Sequence, residues 1–126
     1  MERLNNLRPL ILFLSGLFGA AGVALAAAAS HGGDTRLLGT ASTTCLIHAP
    51  ALVALYGVHR QLRTATLAAL VIALGTLLFA GDLLARHFLG SGLFPMAAPT
   101  GGTTMILGWL IVAAGAFLRS GNGSAF

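Results

Sequence analysis

Near the end of one long apolar run stand the two side chains with the most chemistry to offer. Asp82 and Arg86 lie four residues apart, after a stretch from Thr64 onward that holds no charge. On a helix this spacing, with the carboxylate first, places the pair on one face in the favourable order. Two roles fit it: an interfacial ion pair, with the arginine reaching outward, or an acid and counter-ion that handle protons or a solute, since an ionisable group in an apolar span is a functional candidate by default. His48 is the second candidate. It shares a helical face with Thr44 and Cys45, four and three residues before it, and its imidazole could bond a helical neighbour, relay a proton or ligate a metal. Cys45 and His48 give only two ligands where zinc takes three or four from protein, so no metal site is expected. His31 reads as a solvated helix-end residue. Thr100, followed by Gly101 and Gly102, reads as the N-cap of a helix whose free N–H groups could hold an anion. The serines and threonines lack a base and carboxylate in any recognisable motif, and no cofactor signature is present.

The elements that carry these residues follow from composition. Apolar residues make up 56% of the 126-residue chain and charged residues 8%, with a mean hydropathy of +0.89, whereas a soluble domain carries about a quarter charged residues. Such a chain cannot cover a water-facing surface. No Asp, Glu, Lys or Arg lies between Arg8 and Asp34, Arg36 and Arg60, Arg63 and Asp82, or Arg86 and Arg119. Each window holds the ~20 residues a helix needs to cross a bilayer core. Spans are therefore expected at about 9–29, 40–58, 64–89 and 101–118, forming one integral membrane domain over residues 1–126. The arginines stand singly or in loose pairs at the ends of these runs, so nucleic acid is excluded as a partner and the lipid bilayer takes its place. Cys45 is the only cysteine, which leaves no intrachain disulfide.

Along the chain, Pro9 opens the first span where a missing N–H costs nothing. Arg3, Arg8 and Ala24-Leu25-Ala26 resemble a secretory signal, but the apolar run is longer than a signal core, and retention is expected. Pro50 should kink the second span. Gly16, Gly19 and Gly22 in the first span, Gly75 and Gly81 in the third and Gly108 in the fourth are expected at helix contacts, because small residues let backbones approach closely within a membrane. The segment 90–102 is the longest connection, apolar yet full of breakers.

Four segments together resemble a known family: Ala26-Ala27-Ala28-Ala29-Ser30-His31-Gly32, then Leu46-Ile47-His48-Ala49, then Gly75-Thr76-Leu77-Leu78-Phe79-Ala80-Gly81, and finally Pro99-Thr100-Gly101-Gly102 leading to Leu107-Gly108-Trp109. Their order and spacing are similar to the bacterial inner-membrane family called domain of unknown function 423, related to eukaryotic transmembrane protein 256. The resemblance implies four retained spans in the inner membrane and puts His31 and His48 on family histidines. It imports no activity. Asp82 stands where the family usually has a small hydroxyl residue, and Pro50 replaces an ordinary helix former.

The expected fold is all-α, a four-helix transmembrane bundle running up and down with both termini cytoplasmic. That order brings His31, His48, Asp82, Arg86 and Thr100 into one outer half, where they could line a polar pocket made pH-sensitive by its imidazole. Two functions compete. A membrane-embedded interaction or assembly protein, binding itself or another membrane protein, rests on the small-residue faces; a transport or proton-handling protein rests on His48 and Asp82. Orientation is testable. Arg3, Arg8, Arg60, Arg63 and Arg119 fall on one side and Arg36 and Arg86 on the other, so the positive-inside bias predicts a cytoplasmic signal from reporters fused after Arg63 and Phe126, and an outside signal from one near Asp34. An external C-terminal reporter would reverse the orientation.

Overall fold

The computed structural model describes residues 2–32 and 35–118; Gly33 and Asp34 of the first connection, Arg119 and the tail 120–126 lie outside them. Within the described residues the chain forms a short helix α1 (Glu2–Asn5) and four long ones: α2 (Arg8–Ala29), α3 (Arg36–Gly57), α4 (Ala65–Leu89) and α5 (Ala97–Gly115). No strand occurs among them. Each long helix is long and apolar enough to cross a membrane. Large apolar side chains such as Phe13, Val23, Ile47 and Leu110 stay exposed on their outer faces, which suits acyl chains and no other solvent.

Two helices begin earlier than the apolar runs suggest. α3 opens at Arg36 and α5 at Ala97, four residues ahead of the expected starts in each case. For α5 the reason is local: Pro99 falls in the first turn, where its missing N–H is no loss, and Met96 takes the left-handed conformation, φ 69°, just before the helix. Thr100 therefore lies inside α5 and is not its N-cap. α3 continues as a helix through Pro50.

Consecutive helices run antiparallel, and extensive packing joins α2 to α3, α3 to α4 and α4 to α5; α2 touches α4 only lightly, and no comparable interface joins α2 to α5. The four-helix bundle is thus up and down in order but open along one seam. α4 is the hub. Half of its most apolar window is buried, against a third or less for the others, and Ala65, Ala68, Ala69, Ile72 and Thr76 have no exposure at all.

Small residues explain how α4 can serve two neighbours. A Cβ placed on Gly75 would lie 2.7 Å from the Met105 nitrogen and 2.8 Å from the Gly101 oxygen, and backbone atoms cannot yield. Gly108 meets Ile72 in the same way, and Gly101 faces the Phe79 nitrogen. Gly101, Gly108 and Gly115 repeat every seven residues, the period that keeps a stripe turned toward one partner. Between α2 and α3 the contact is Gly22 against Leu46, with a 3.2 Å approach to the Leu46 nitrogen; Gly19 and Gly81 make looser contacts, 3.8 Å to Ala49 and 3.4 Å to Leu93. Gly16 departs from expectation. It is exposed, with nothing within 4 Å of a Cβ, because it sits about 100° around the helix from the buried Ser15.

Hydrogen bonds fix the register of these pairs. Ser15 donates to the Ala49 carbonyl at 2.8 Å and Ser42 to that of Gly22 at 2.6 Å, stitching α2 to α3, while Arg8 donates to the Tyr56 carbonyl at 2.7 Å and lies over the Tyr56 ring. Thr64 donates to Ile111 at 2.9 Å, tying α4 to the far end of α5. Such interhelical bonds contribute about 0.6 kcal/mol each in a membrane, so the glycine contacts carry more of the packing. Gly75→Leu or Gly108→Leu should accordingly destabilise the protein by about 1–3 kcal/mol through overpacking, whereas Gly16→Leu should stay within about 0.5 kcal/mol of wild type. Reversible unfolding in mixed micelles measures both; equal costs at Gly16 and Gly75 would contradict this packing.

Candidate functional site

The five candidate polar residues resolve into two networks, with His31 and Thr100 outside both. Asp82 is completely buried, while Arg86 keeps 47% of its side chain exposed. Arg86 Nε donates to Asp82 Oδ2 at 2.8 Å, and the backbone N–H of Leu93 donates to Oδ1 at 2.8 Å. The N–H of Ala98, in the first turn of α5, adds a weaker electrostatic contact to the same carboxylate. One side chain on α4 therefore holds the connection and the start of the next helix.

The turn is built around that carboxylate. α4 ends on Gly90 in the left-handed conformation, φ 81°, the usual helix stop. Two residues later the chain passes so close to Asp82 that a Cβ on Gly92 would collide with Oδ1 and come within 3.2 Å of Arg86 Nη2. Only glycine fits. At the opening of α5 the Ala97 N–H bonds to Phe94 O at 3.2 Å, that of Ala98 turns to Asp82, Pro99 has none, and that of Thr100 starts the helical ladder on Met96 O at 2.9 Å. A negative charge is favourable at a helix N-terminus, and here the chain supplies it from its own α4. The anion site imagined at Thr100 is thus filled from within. Thr100 itself accepts a 2.7 Å hydrogen bond from Thr104 on its carbonyl.

The second network centres on His48. Its Nδ1 lies 2.8 Å from the Thr44 carbonyl, and Trp109 Nε1 lies 3.1 Å from its Nε2. An indole N–H can only donate, so Nε2 is the acceptor and Nδ1 carries the hydrogen. Both ring nitrogens are engaged. The two rings are tilted by 50° with centroids 5.9 Å apart. Trp109 is the partner that sequence reasoning missed, since 61 residues separate it from His48 and its place inside a span gives no sign of what it faces. Gly92 was also missed; a Gly-Ser-Gly run beginning one turn beyond Arg86 was the available signal.

These networks share no partner. Gly108, beside Trp109, packs on Ile72, ten residues before Asp82 and so about 15 Å away along α4. The expected common pocket is replaced by two sites at different depths. His31 belongs to neither: it is exposed in the turn that ends α2, where its backbone N–H bonds to Ala28 O at 3.2 Å. Among the described residues no group of three or more His, Cys, Asp or Glu comes together as a metal site.

Fold and polar groups together define a small, multi-pass helical membrane protein. The family described as "Protein of unknown function (DUF423)" matches residues 15–102, and the chain belongs to that family. The match runs from within α2 to the first turns of α5, so it takes in His48, Asp82, Arg86 and Gly92 and stops short of Trp109. Comparison with curated proteins and with solved structures finds no match.

Burial makes the ion pair asymmetric. Arg86→Ala leaves a buried carboxylate without its cation, a loss of about 3–5 kcal/mol. Asp82→Ala leaves a half-exposed arginine that can reach water and an unpaired Leu93 N–H, a loss of about 1–3 kcal/mol. Unfolding in micelles should rank the two variants in that order; the reverse order would show that the carboxylate finds another partner.

Proposed function

We propose that this protein is a membrane-embedded interaction or assembly protein of the bacterial inner membrane, with both termini cytoplasmic, that receives an apolar transmembrane helix from another membrane protein. Support comes from one feature of the open bundle, a groove of about 310 Å³ between α2 and α4 with Cys45 in its floor. Leu17 and Leu25 border it on α2, Leu77 and Leu84 on α4, and Ala21 and Gly81 keep it wide. Ridges set into such grooves are how helices pack. In lipid, where no hydrophobic drive pulls helices together, small residues between larger ones are what let a second helix approach. The groove has no charged lining, so it suits an uncharged helix face. The stripes at Gly22, Gly75 and Gly108 are occupied by contacts within the chain and are not open to a partner.

A photo-crosslinker at Ala21 should give a discrete adduct with a membrane protein in native membranes, while one at the exposed Ile106 on α5 should not. Ala21→Leu with Gly81→Leu fills the groove and should lower co-purification of that protein by about tenfold, equivalent to ~1.4 kcal/mol. Adducts with lipid alone from both positions would contradict the proposal, and adducts joining two copies of this chain would replace the partner by a homo-oligomer.

A further inference from the structure

The second network carries a conclusion independent of the groove. His48 accepts from Trp109 at Nε2 and donates to Thr44 O from Nδ1. A protonated imidazole has two donors and no acceptor, so a proton on Nε2 and the Trp109 hydrogen bond exclude one another. Among the described residues this is the hydrogen bond between α3 and α5, whose extensive packing is on α4 alone. We infer that His48 is a proton-binding site and that its protonation releases Trp109, and with it the edge of α5, from α3.

A route to the ring is present. A cleft of about 480 Å³ lies along α3, lined by Thr35, Arg36, Gly39, Thr40, Thr43 and Thr44. It runs from the start of the helix to Thr44, whose carbonyl holds the imidazole. Hydroxyl groups along a membrane-facing helix give water partners that aliphatic side chains cannot, so the cleft brings water to within one helical turn of His48. The ring is 9% exposed and Trp109 42%, so the indole, unlike the imidazole, borders the surface of the bundle. The balance is simple: hydronium from the acidified aqueous phase gives its proton to the Nε2 lone pair once the indole turns away and leaves water behind, the indole keeps its own hydrogen, and only the Nε2 hydrogen bond is lost.

Among the described residues of the helices no carboxylate lies near this step. On α3 the titratable neighbour is Cys45, one turn away, and Arg36 lies at the far mouth of the cleft. α2 has no charged or titratable residue beyond Arg8, α4 has none before Asp82, and α5 has none. The Asp82 and Arg86 pair lies about 15 Å along α4. Among the described residues an imidazolium at His48 thus finds no carboxylate to hold it against Trp109.

Trp109 is the only tryptophan in the chain, so its fluorescence reads the site directly. In lipid nanodiscs taken from pH 8 to pH 4, the emission should change in a single one-proton step. That step should persist when His31, His59 and His87 are all changed to Gln and vanish in His48→Gln. Should His48→Gln fail to fold, ¹⁵N spectra of imidazole-labelled wild-type protein decide the matter: the Nδ1–H tautomer should convert to imidazolium in parallel with the emission. A His48 that stays neutral over this range, one that protonates with no change in emission, or a step that survives in folded His48→Gln would each overturn the inference.

Discussion

A carboxylate with no exposure to solvent must find all its hydrogen bonds inside the protein, and that requirement at Asp82 organises one end of this molecule. The side chain gathers Arg86 from its own helix, the Leu93 N–H from the connection and the Ala98 N–H from α5. In doing so it dictates a glycine at position 92 and lets α5 begin at Ala97 without a capping side chain. Once α5 starts there, Gly101, Gly108 and Gly115 fall against α4 in sequence. The polar anchor and the glycine stripe are parts of one device: the first sets the register, and the second turns that register into close packing. The left-handed Met96 belongs to the same economy, since a strained non-glycine residue persists only where its surroundings hold it.

The remaining helices are assembled by weaker means and leave more unfilled. α2 is registered on α3 by two serine hydroxyls and by Gly22, yet it barely touches α4, so the groove over Cys45 stays open to the bilayer. α5 reaches past α4 to α3 only at Trp109. The molecule therefore combines a tightly packed hairpin, α4 with α5, and a second hairpin, α2 with α3, joined through the small-residue face of α4. Among the described residues the buried polar side chains of the spans are largely paired within the chain, and the His48 nitrogen that accepts from Trp109 is the one such acceptor that links α3 to α5.

Much of this was legible in the residues. Charge-free windows marked the four spans because lipid tolerates no alternative, and the spacing of Asp82 and Arg86 gave their pairing because both lie on one helix. The stripe at Gly75 and Gly108 was visible as small residues in apolar runs, and the resemblance to a membrane family is matched by the family to which the chain belongs. What escaped detection depends on contacts between elements. Gly16 looks like Gly22 in sequence, and only the rotation of α2 distinguishes a lipid-facing glycine from a packed one. The depth of burial of Asp82 depends on a loop folding back over it, and the pairing of His48 with Trp109 depends on where α5 crosses α4. Thr100 was misplaced as a cap because 90–102 was read as one breaker-rich connection, although proline is at ease in a first helical turn and α5 already begins at Ala97.

The central claim is that Asp82 holds the connection and the start of α5 through backbone N–H groups. Amide hydrogen exchange, resolved by residue in nanodiscs, tests it most directly. The Leu93 amide, in a connection with no regular ladder to protect it, should exchange slowly in the wild type, as should that of Ala98; both should become fast in Asp82→Ala while Met105 and Ile72 stay protected. Fast exchange at Leu93 and Ala98 in the wild-type protein, or protection unchanged in Asp82→Ala, would contradict it.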